Sequence, residues 1–145
     1  MTELDLELAR KTLEAQPFSR LVQARVSAFG DGAAVLEVDV RPELLQQNGF
    51  LHGGVLAYAA DNAITFAAGT TLGPAVLTGG FSIQYVRPGA GRTLVARAAV
   101  AHTGRRQATV RCDLFMVRDD GGEVLCAVAQ GTVLSAVTSP EPPAS

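Results

Sequence analysis

The stretch QQNGFLHGG at residues 46–54, followed by the alanine-rich run from Val55 to about Gly69, decides the fold. The first part predicts a loop, because it is rich in amide side chains and glycine and ends on a Gly-Gly step. The second part predicts one helix of about 15 residues, or about 22 Å. Its many alanines make the helix thin enough to lie close to a sheet: Ala57, Ala59, Ala60, Ala63, Ala67 and Ala68.

This helix carries a single acid, Asp61. On a helical wheel Asp61 shares its stripe with Ala57, Ile64 and Ala68. A carboxylate on an apolar stripe is costly to bury unless it has partners. We therefore expect either that the stripe faces a pocket or that the carboxylate has a specific task.

Composition excludes several classes of protein. The chain has 145 residues, with 48% apolar and 18% charged residues, which favours one globular domain. A net charge of −2 argues against general nucleic-acid binding. No charge-free apolar run reaches the length of a membrane span, and residues 1–14 lack a signal sequence, so we expect a cytoplasmic protein. Cys112 and Cys126 lie in strand-like segments without metal-ligand spacing, which predicts buried thiols and no metal site.

The rest of the chain predicts two strands before the long helix and four after it. A helix over 2–16 ends at Pro17, and a short helical turn spans 42–45. Strands are predicted at 21–29, 33–40, 76–87, 94–101, 108–117 and 124–137. This order indicates an α+β fold, with the sheet wrapped around the apolar helix. We expect an N-terminal helix within 1–19, one domain over 20–137 and a disordered, proline-rich tail over 138–145.

Several motifs together resemble the PaaI-like (phenylacetate-degradation) group of hotdog-fold acyl-CoA thioesterases, over about residues 20 to 137. They are NGFLHGG at 48–54 with Asp61 nine residues after His52, FSIQYVRP at 81–88, Gly104-Arg105, Asp120-Gly121, and Gln130-Gly131-Thr132. The resemblance implies a curved antiparallel sheet around one central helix. It also implies homodimers or homotetramers with sites at the subunit interface. The expected reaction needs no cofactor and hydrolyses an aryl-, medium- or long-chain acyl-CoA to free acid and CoA.

The catalytic roles follow from matching positions. Gly53 opens the helix, so its N–H is unpaired within the helix and lies at the positive end of the dipole; in the family this N–H polarises the thioester carbonyl. Asp61 matches the acid that acts across the interface, either as general base toward water or as nucleophile. Without that role, Asp61 is a partly buried acid satisfied by backbone N–H groups or by Thr65. Thr78 matches a residue that holds the attacking water, and His52 is expected to be an orienting donor.

One position departs from the family pattern. Many relatives have Asn six residues before the histidine, whereas this chain has Gln46. Three interpretations stay open. Gln46 does the same polar task from a shifted backbone, Asn48 substitutes for it, or the pocket is altered.

The CoA-binding residues are also implied by the resemblance. Guanidinium groups suit phosphates, which they bind in bidentate fashion, and arginines lie at the strand ends expected to flank the cleft. The alternative for each is a solvated surface charge. The expected contacts are Asn48, Gly54, Tyr85, Arg87, Pro88, Gly104, Arg105 and Arg106.

Two other functions are considered. A non-catalytic acyl-CoA-binding protein of the same fold is one, since Gln46 departs from the usual pattern. A hotdog hydratase or dehydratase is the other, but it needs a histidine and an acid as a proton-transfer pair. The only histidine besides His52 is His102, which is predicted to lie in a turn.

Overall fold

A computed structural model describes residues 3–136, and every neighbouring pair of strands in its single sheet is antiparallel. The helices are α1 (Glu3–Glu14), α2 (Pro17–Val22) and α3 (Gly53–Leu72), with a 3₁₀ turn at Pro42–Leu44. The strands are β1 (Arg25–Gly30), β2 (Ala33–Asp39), β3 (Val76–Tyr85), β4 (Thr93–Thr103), β5 (Gln107–Val117) and β6 (Glu123–Ser135). They are ordered β1-β2-β4-β5-β6-β3 and curve around α3. The predicted α+β hotdog fold is confirmed.

The central helix α3 is wrapped by the sheet, as its composition predicts. Ala59, Ala60, Ala63 and Ala67 are fully buried, and α3 contacts β2, β4 and β5 most extensively. Small side chains here let the helix axis approach the strands closely. The helix has 20 residues and continues three residues beyond the predicted end at Gly69.

The prediction for the first strand was wrong at its N-terminal end. Proline fits the first turn of a helix as well as it ends one, and Pro17 starts α2. The helix ends before Gln23, which has a left-handed φ of 62°. The strand therefore begins at Arg25 instead of Leu21. The expected boundary at residue 19 falls inside α2, and the predicted tail over 138–145 lies outside the described residues.

The two edges of the sheet differ in how they are covered. Helix α1 packs against edge strand β1. At the other edge, no strand within residues 3–136 pairs with the outer side of β3. Strand β3 itself exposes the side chains of Leu77 (65%), Phe81 (36%) and Tyr85 (52%). A ten-residue edge strand with exposed apolar side chains is a surface that proteins normally cover.

No helix in the part of the chain that the structure describes is long and apolar enough to cross a membrane.

Candidate active site

The start of α3 is fixed by His52. The imidazole Nδ1 accepts a hydrogen bond of 2.8 Å from the Gly54 backbone N–H, so His52 is the N-cap of the helix. A Cβ on Gly54 would lie 2.9 Å from the same Nδ1, so glycine at this position leaves room for the ring. His52 thus orients the helix start, and it does so through an accepting nitrogen. The expected role of His52 as a hydrogen-bond donor concerns the other ring nitrogen, Nε2, and stays a prediction.

The backbone N–H of Gly53 is the unpaired group at this helix end. As the first residue of α3, Gly53 has no intrahelical acceptor, and its N–H has no hydrogen-bond partner within residues 3–136. The Tyr85 hydroxyl donates a hydrogen bond of 2.9 Å to the Gly53 carbonyl. Tyr85 therefore holds the first turn in place from strand β3, while the N–H beside it stays free.

The Asp61 carboxylate is half-buried and is aligned by a threonine on β3. The Thr78 hydroxyl donates to Asp61 Oδ1 at 2.6 Å. The Thr65 hydroxyl lies 2.8 Å from Thr78 Oγ1 and donates to the Asp61 backbone carbonyl, so Thr65 does not satisfy the carboxylate. The second oxygen, Oδ2, accepts no hydrogen bond from any residue of the 3–136 segment. The carboxylate thus has one fixed oxygen and one free oxygen.

Gly53 and Asp61 do not meet within one chain. They lie eight residues apart on the same helix, which separates them by about 12 Å along its axis. A thioester carbonyl that accepts a hydrogen bond from the Gly53 N–H is therefore out of reach of the Asp61 carboxylate of the same chain.

A cleft of about 450 Å³ lies beside the helix start and contains four of the expected CoA contacts together with the expected catalytic residues Gln46 and Gly53. Its lining residues are Gln46, Asn48, Phe50, Leu51, Gly53, Leu56, Tyr85, Val86, Arg87, Pro88 and Gly89.

Gln46 organises the loop that forms one side of this cleft. The side-chain Oε1 of Gln46 accepts hydrogen bonds from the backbone N–H groups of Asn48 and Phe50. The backbone N–H of Gln46 donates to the Phe50 carbonyl. The amide oxygen is therefore occupied by the loop itself. Asn48 is exposed in the cleft lining, where its side chain is open to a ligand.

The expected phosphate-binding arginines are not brought together within one chain. Arg87 lines the cleft at the C-terminal end of β3. Gly104-Arg105-Arg106 form the turn between β4 and β5, where the Arg106 carbonyl accepts from the Ser135 N–H. Ser135 pairs with Val76, the first residue of β3. The arginine pair and Arg87 therefore lie at opposite ends of this strand.

A second cavity of about 730 Å³ was not predicted from the sequence. It lies between α1, α3, β1 and the start of β3, and we call it the α1–α3 cavity. Its lining includes Leu8, Ala9, Thr12, Phe29, Asn62, Thr65, Phe66, Gly69, Thr70 and Val76. One sequence signal could have indicated it, since Gly69 interrupts the alanine-rich face of the helix.

Neither cysteine provides a nucleophile. Burial raises the pKa of the Cys112 thiol to about 12, with the nearby Asp113 charge as a smaller contribution. Burial also raises the pKa of Cys126 to about 11. Both thiols are therefore protonated at neutral pH. No group of three or more potential metal ligands occurs among the residues of the described segment.

Known proteins share this sequence pattern and fold. The model of the thioesterase superfamily matches residues 48–126, which is more than half of the chain. The chain is 34% identical over 82 residues to the acyl-coenzyme A thioesterase PaaI of Escherichia coli, a match covering 56% of this chain and 58% of that protein. The matched region thus spans little more than half of the length of this relative.

Solved structures agree over most of the chain. A thioesterase family protein from Silicibacter pomeroyi has a TM-score of 0.86 and 26% identity, covering 92% of this chain and 99% of that one. A mutant of the phenylacetic acid degradation protein PaaI from Thermus thermophilus has a TM-score of 0.71 and 35% identity, covering 82% and 98%. With its hotdog fold and its matching sequence, the chain belongs to the thioesterase superfamily.

Proposed function

We propose that this protein hydrolyses acyl-CoA thioesters to a free acid and CoA, with an aryl-, medium- or long-chain acyl group. The observation that carries the proposal is the unpaired Gly53 N–H on the wall of the cleft. At the positive end of a 20-residue helix, such an amide stabilises the charge that develops on a thioester oxygen. Relatives named as an acyl-CoA thioesterase and a phenylacetic acid degradation protein support this substrate class.

Asp61 supplies the second half of the reaction. As a general base, its free Oδ2 takes a proton from water while the water oxygen bonds to the carbonyl carbon. The carbon–sulfur bond then breaks, and the thiolate of CoA leaves and is protonated. As a nucleophile, Oδ2 bonds to the carbonyl carbon itself, the carbon–sulfur bond breaks, and the thiolate of CoA leaves and is protonated; water then hydrolyses the mixed anhydride to the free acid and the Asp61 carboxylate. In both routes Thr78 holds Oδ1 and so aims Oδ2.

We further propose that the site is shared between two copies of the chain. Both groups are tied to edge strand β3, Asp61 through Thr78 near one end and Gly53 through Tyr85 at the other end. Antiparallel pairing of β3 with the same strand of a second copy places the Thr78 end of one strand beside the Tyr85 end of the other. The Asp61 of one copy then approaches the Gly53 of the next.

The same pairing explains the separated arginines. The turn Gly104-Arg105-Arg106 lies beside the start of β3, and Arg87 follows its end. In an antiparallel pair, the turn of one copy lies on the same side as Arg87 of the other. Three guanidinium groups then surround the mouth of one cleft, where they bind the phosphates of CoA.

The first experiment removes the Gly53 N–H. Gly53→Pro deletes this donor, and proline is favoured at the first helical position; the extended His52 backbone (φ −60°, ψ 135°) suits a residue before proline. Gly53→Ala is the matched control, because it adds a Cβ at the same place and keeps the N–H. We expect Gly53→Pro to lower turnover of an acyl-CoA panel about 100-fold or more, measured by release of free thiol, and Gly53→Ala to lower it far less.

The second experiment tests the sharing. Asp61→Asn should lower turnover at least about 100-fold, whereas the same change at the exposed Asp119 should not. Mixing Asp61→Asn with Gly53→Pro protein after subunit exchange should restore about a quarter of the wild-type activity, since half of the dimers are mixed and each has one intact site. A site contained within one chain would give no recovery.

The alternative of a non-catalytic acyl-CoA-binding protein predicts different results. Wild-type protein would then bind CoA, measured by calorimetry, and release no thiol from any substrate. Loss of both CoA binding and the dimer in Asp61→Asn would give the acid a structural role and contradict the mechanism.

A further inference from the structure

We propose that the α1–α3 cavity receives the acyl group of the substrate, and that Gly69 sets the length of chain that it accepts. This inference rests on the proposed thioesterase function. It assigns a use to the N-terminal helix, which forms one wall of the cavity through Leu8, Ala9 and Thr12.

The cavity opens next to the Asp61 carboxylate. Thr65 lines the cavity, and its hydroxyl lies 2.8 Å from that of Thr78, the residue that holds Asp61 Oδ1. Val76, which also lines the cavity, precedes Thr78 by two residues on β3. An acyl chain whose carbonyl carbon lies at Asp61 therefore has the cavity directly beside it.

Gly69 lines the cavity near the C-terminal end of α3. This residue lies eight positions beyond Asp61 on α3, about 12 Å along the helix, which matches an acyl chain of medium length. A Cβ built on Gly69 meets no atom within 4 Å. Glycine inside a helix costs about 0.5–1 kcal/mol relative to alanine, and here its effect is to leave this part of the cavity open.

The lining combines an apolar side and two paired hydroxyls with the polar residues Asp5, Gln16, Asp31 and Asn62. Phe29 and Phe66 pack edge to face, with ring centroids 6.2 Å apart, and give one apolar side. The hydroxyls of Thr12 and Thr70 donate to the carbonyls of Leu8 and Ala67 in their own helices. Since these donors are already satisfied, covering them with a hydrocarbon chain carries little penalty.

The test compares two substitutions at one position. Gly69→Phe fills this part of the cavity, while Gly69→Ala changes the backbone preference and leaves most of the space. The measured quantity is the ratio of kcat/KM for decanoyl-CoA to that for butyryl-CoA. We expect Gly69→Phe to lower this ratio at least about tenfold and Gly69→Ala to leave it unchanged.

A second obstruction comes from the opposite wall. Thr12 is exposed on α1, where a larger side chain does not disturb the core, so Thr12→Phe keeps the test valid if Gly69→Phe fails to fold. It should shift the ratio in the same direction. Decanoic acid gives a readout without turnover: it should raise the melting temperature of wild type and Gly69→Ala, but not of Gly69→Phe.

The outcomes separate the two proposals. A wild-type protein that hydrolyses no member of the acyl-CoA panel, aryl substrates included, overturns the proposed function, and the decanoic acid shift still tests the cavity. A protein that hydrolyses both substrates, with a ratio unchanged by Gly69→Phe and by Thr12→Phe, overturns the acyl pocket and leaves the hydrolysis intact.

Discussion

The hydrogen bond from Gly54 N–H to His52 Nδ1 predicts that His52 works as a helix cap and not as a proton carrier. Two substitutions separate these roles. His52→Ala removes the acceptor and the ring. His52→Asn removes the ring but keeps a side-chain oxygen, and asparagine is among the best N-cap residues.

The expected magnitudes follow from the exposure of this helix end. Loss of an N-cap side chain costs about 1 kcal/mol. His52 and Gly54 are both exposed, so water can pair with the freed N–H and the cost stays near that value. For a chain of this size His52→Ala should lower the melting temperature by about 3 °C, and His52→Asn should stay within about 1 °C of wild type.

Turnover should decrease when the helix cap is weakened and stay unchanged when it is kept. His52→Ala loosens the first turn and with it the Gly53 N–H, so we expect turnover to fall only a few-fold, and His52→Asn should be close to wild type. Gly54→Ala is an informative control, because its Cβ would lie 2.9 Å from Nδ1 and would displace the ring while histidine is still present. It should resemble His52→Ala in turnover.

The assays are thermal unfolding and thiol release from one acyl-CoA substrate. A His52→Asn protein that keeps wild-type stability and loses turnover about 100-fold would contradict the capping role, since that loss is the size of a general acid–base contribution.

Three further predictions concern other residues. Tyr85→Phe removes the hydrogen bond to the Gly53 carbonyl, so kcat should fall about threefold with KM for acyl-CoA unchanged; a raised KM would instead indicate that the hydroxyl contacts CoA. The hydrogen bond from Arg25 lowers the pKa of Asp39 below its usual value of 3.8, so the pair stabilises the fold above that pH and this contribution is lost as the pH falls. The free energy of unfolding in urea, measured between about pH 5 and pH 3, should therefore fall less steeply with decreasing pH in Asp39→Asn than in wild type; equal slopes would contradict this. Because burial keeps the Cys112 thiol protonated, Cys112→Ala should retain wild-type kcat in the thiol-release assay, although it destabilises the core; a large loss of kcat in the folded variant would contradict the exclusion of thiol chemistry.

The parts of the fold that could be predicted are those that local pattern determines. The alanine run predicts a thin, enclosed helix, and alternation predicts the strands of the later sheet, since both reflect burial on a regular period. Pro17 could not be interpreted correctly, because proline both ends one helix and starts the next. The occupied oxygen of Gln46 was also out of reach, since it depends on how the loop closes on Asn48 and Phe50.

For the candidate site too, some features could be predicted from the sequence and others could not. The positions of Gly53 and Asp61 follow from the sequence, because one opens the helix and the other is its lone acid. Their hydrogen-bond partners on β3 are Thr78 for the carboxylate and Tyr85 for the helix start. These partners are established only by the packing of the strand beside the helix. The α1–α3 cavity could not be predicted, since it is the space left where an N-terminal helix meets elements from distant parts of the chain.

In the proposed mechanism one helix per chain supplies both reacting groups, and this arrangement has a structural consequence. A rigid helix holds Gly53 and Asp61 about 12 Å apart, so no motion within α3 can bring them to one substrate. The distance can be closed only by a second copy, and edge strand β3 carries the contacts of both groups. A change in the register of strand pairing would therefore move both groups at once. In the proposed dimer, the hydrogen bonds that cover the exposed edge also set the catalytic geometry, which couples assembly of the sheet directly to turnover.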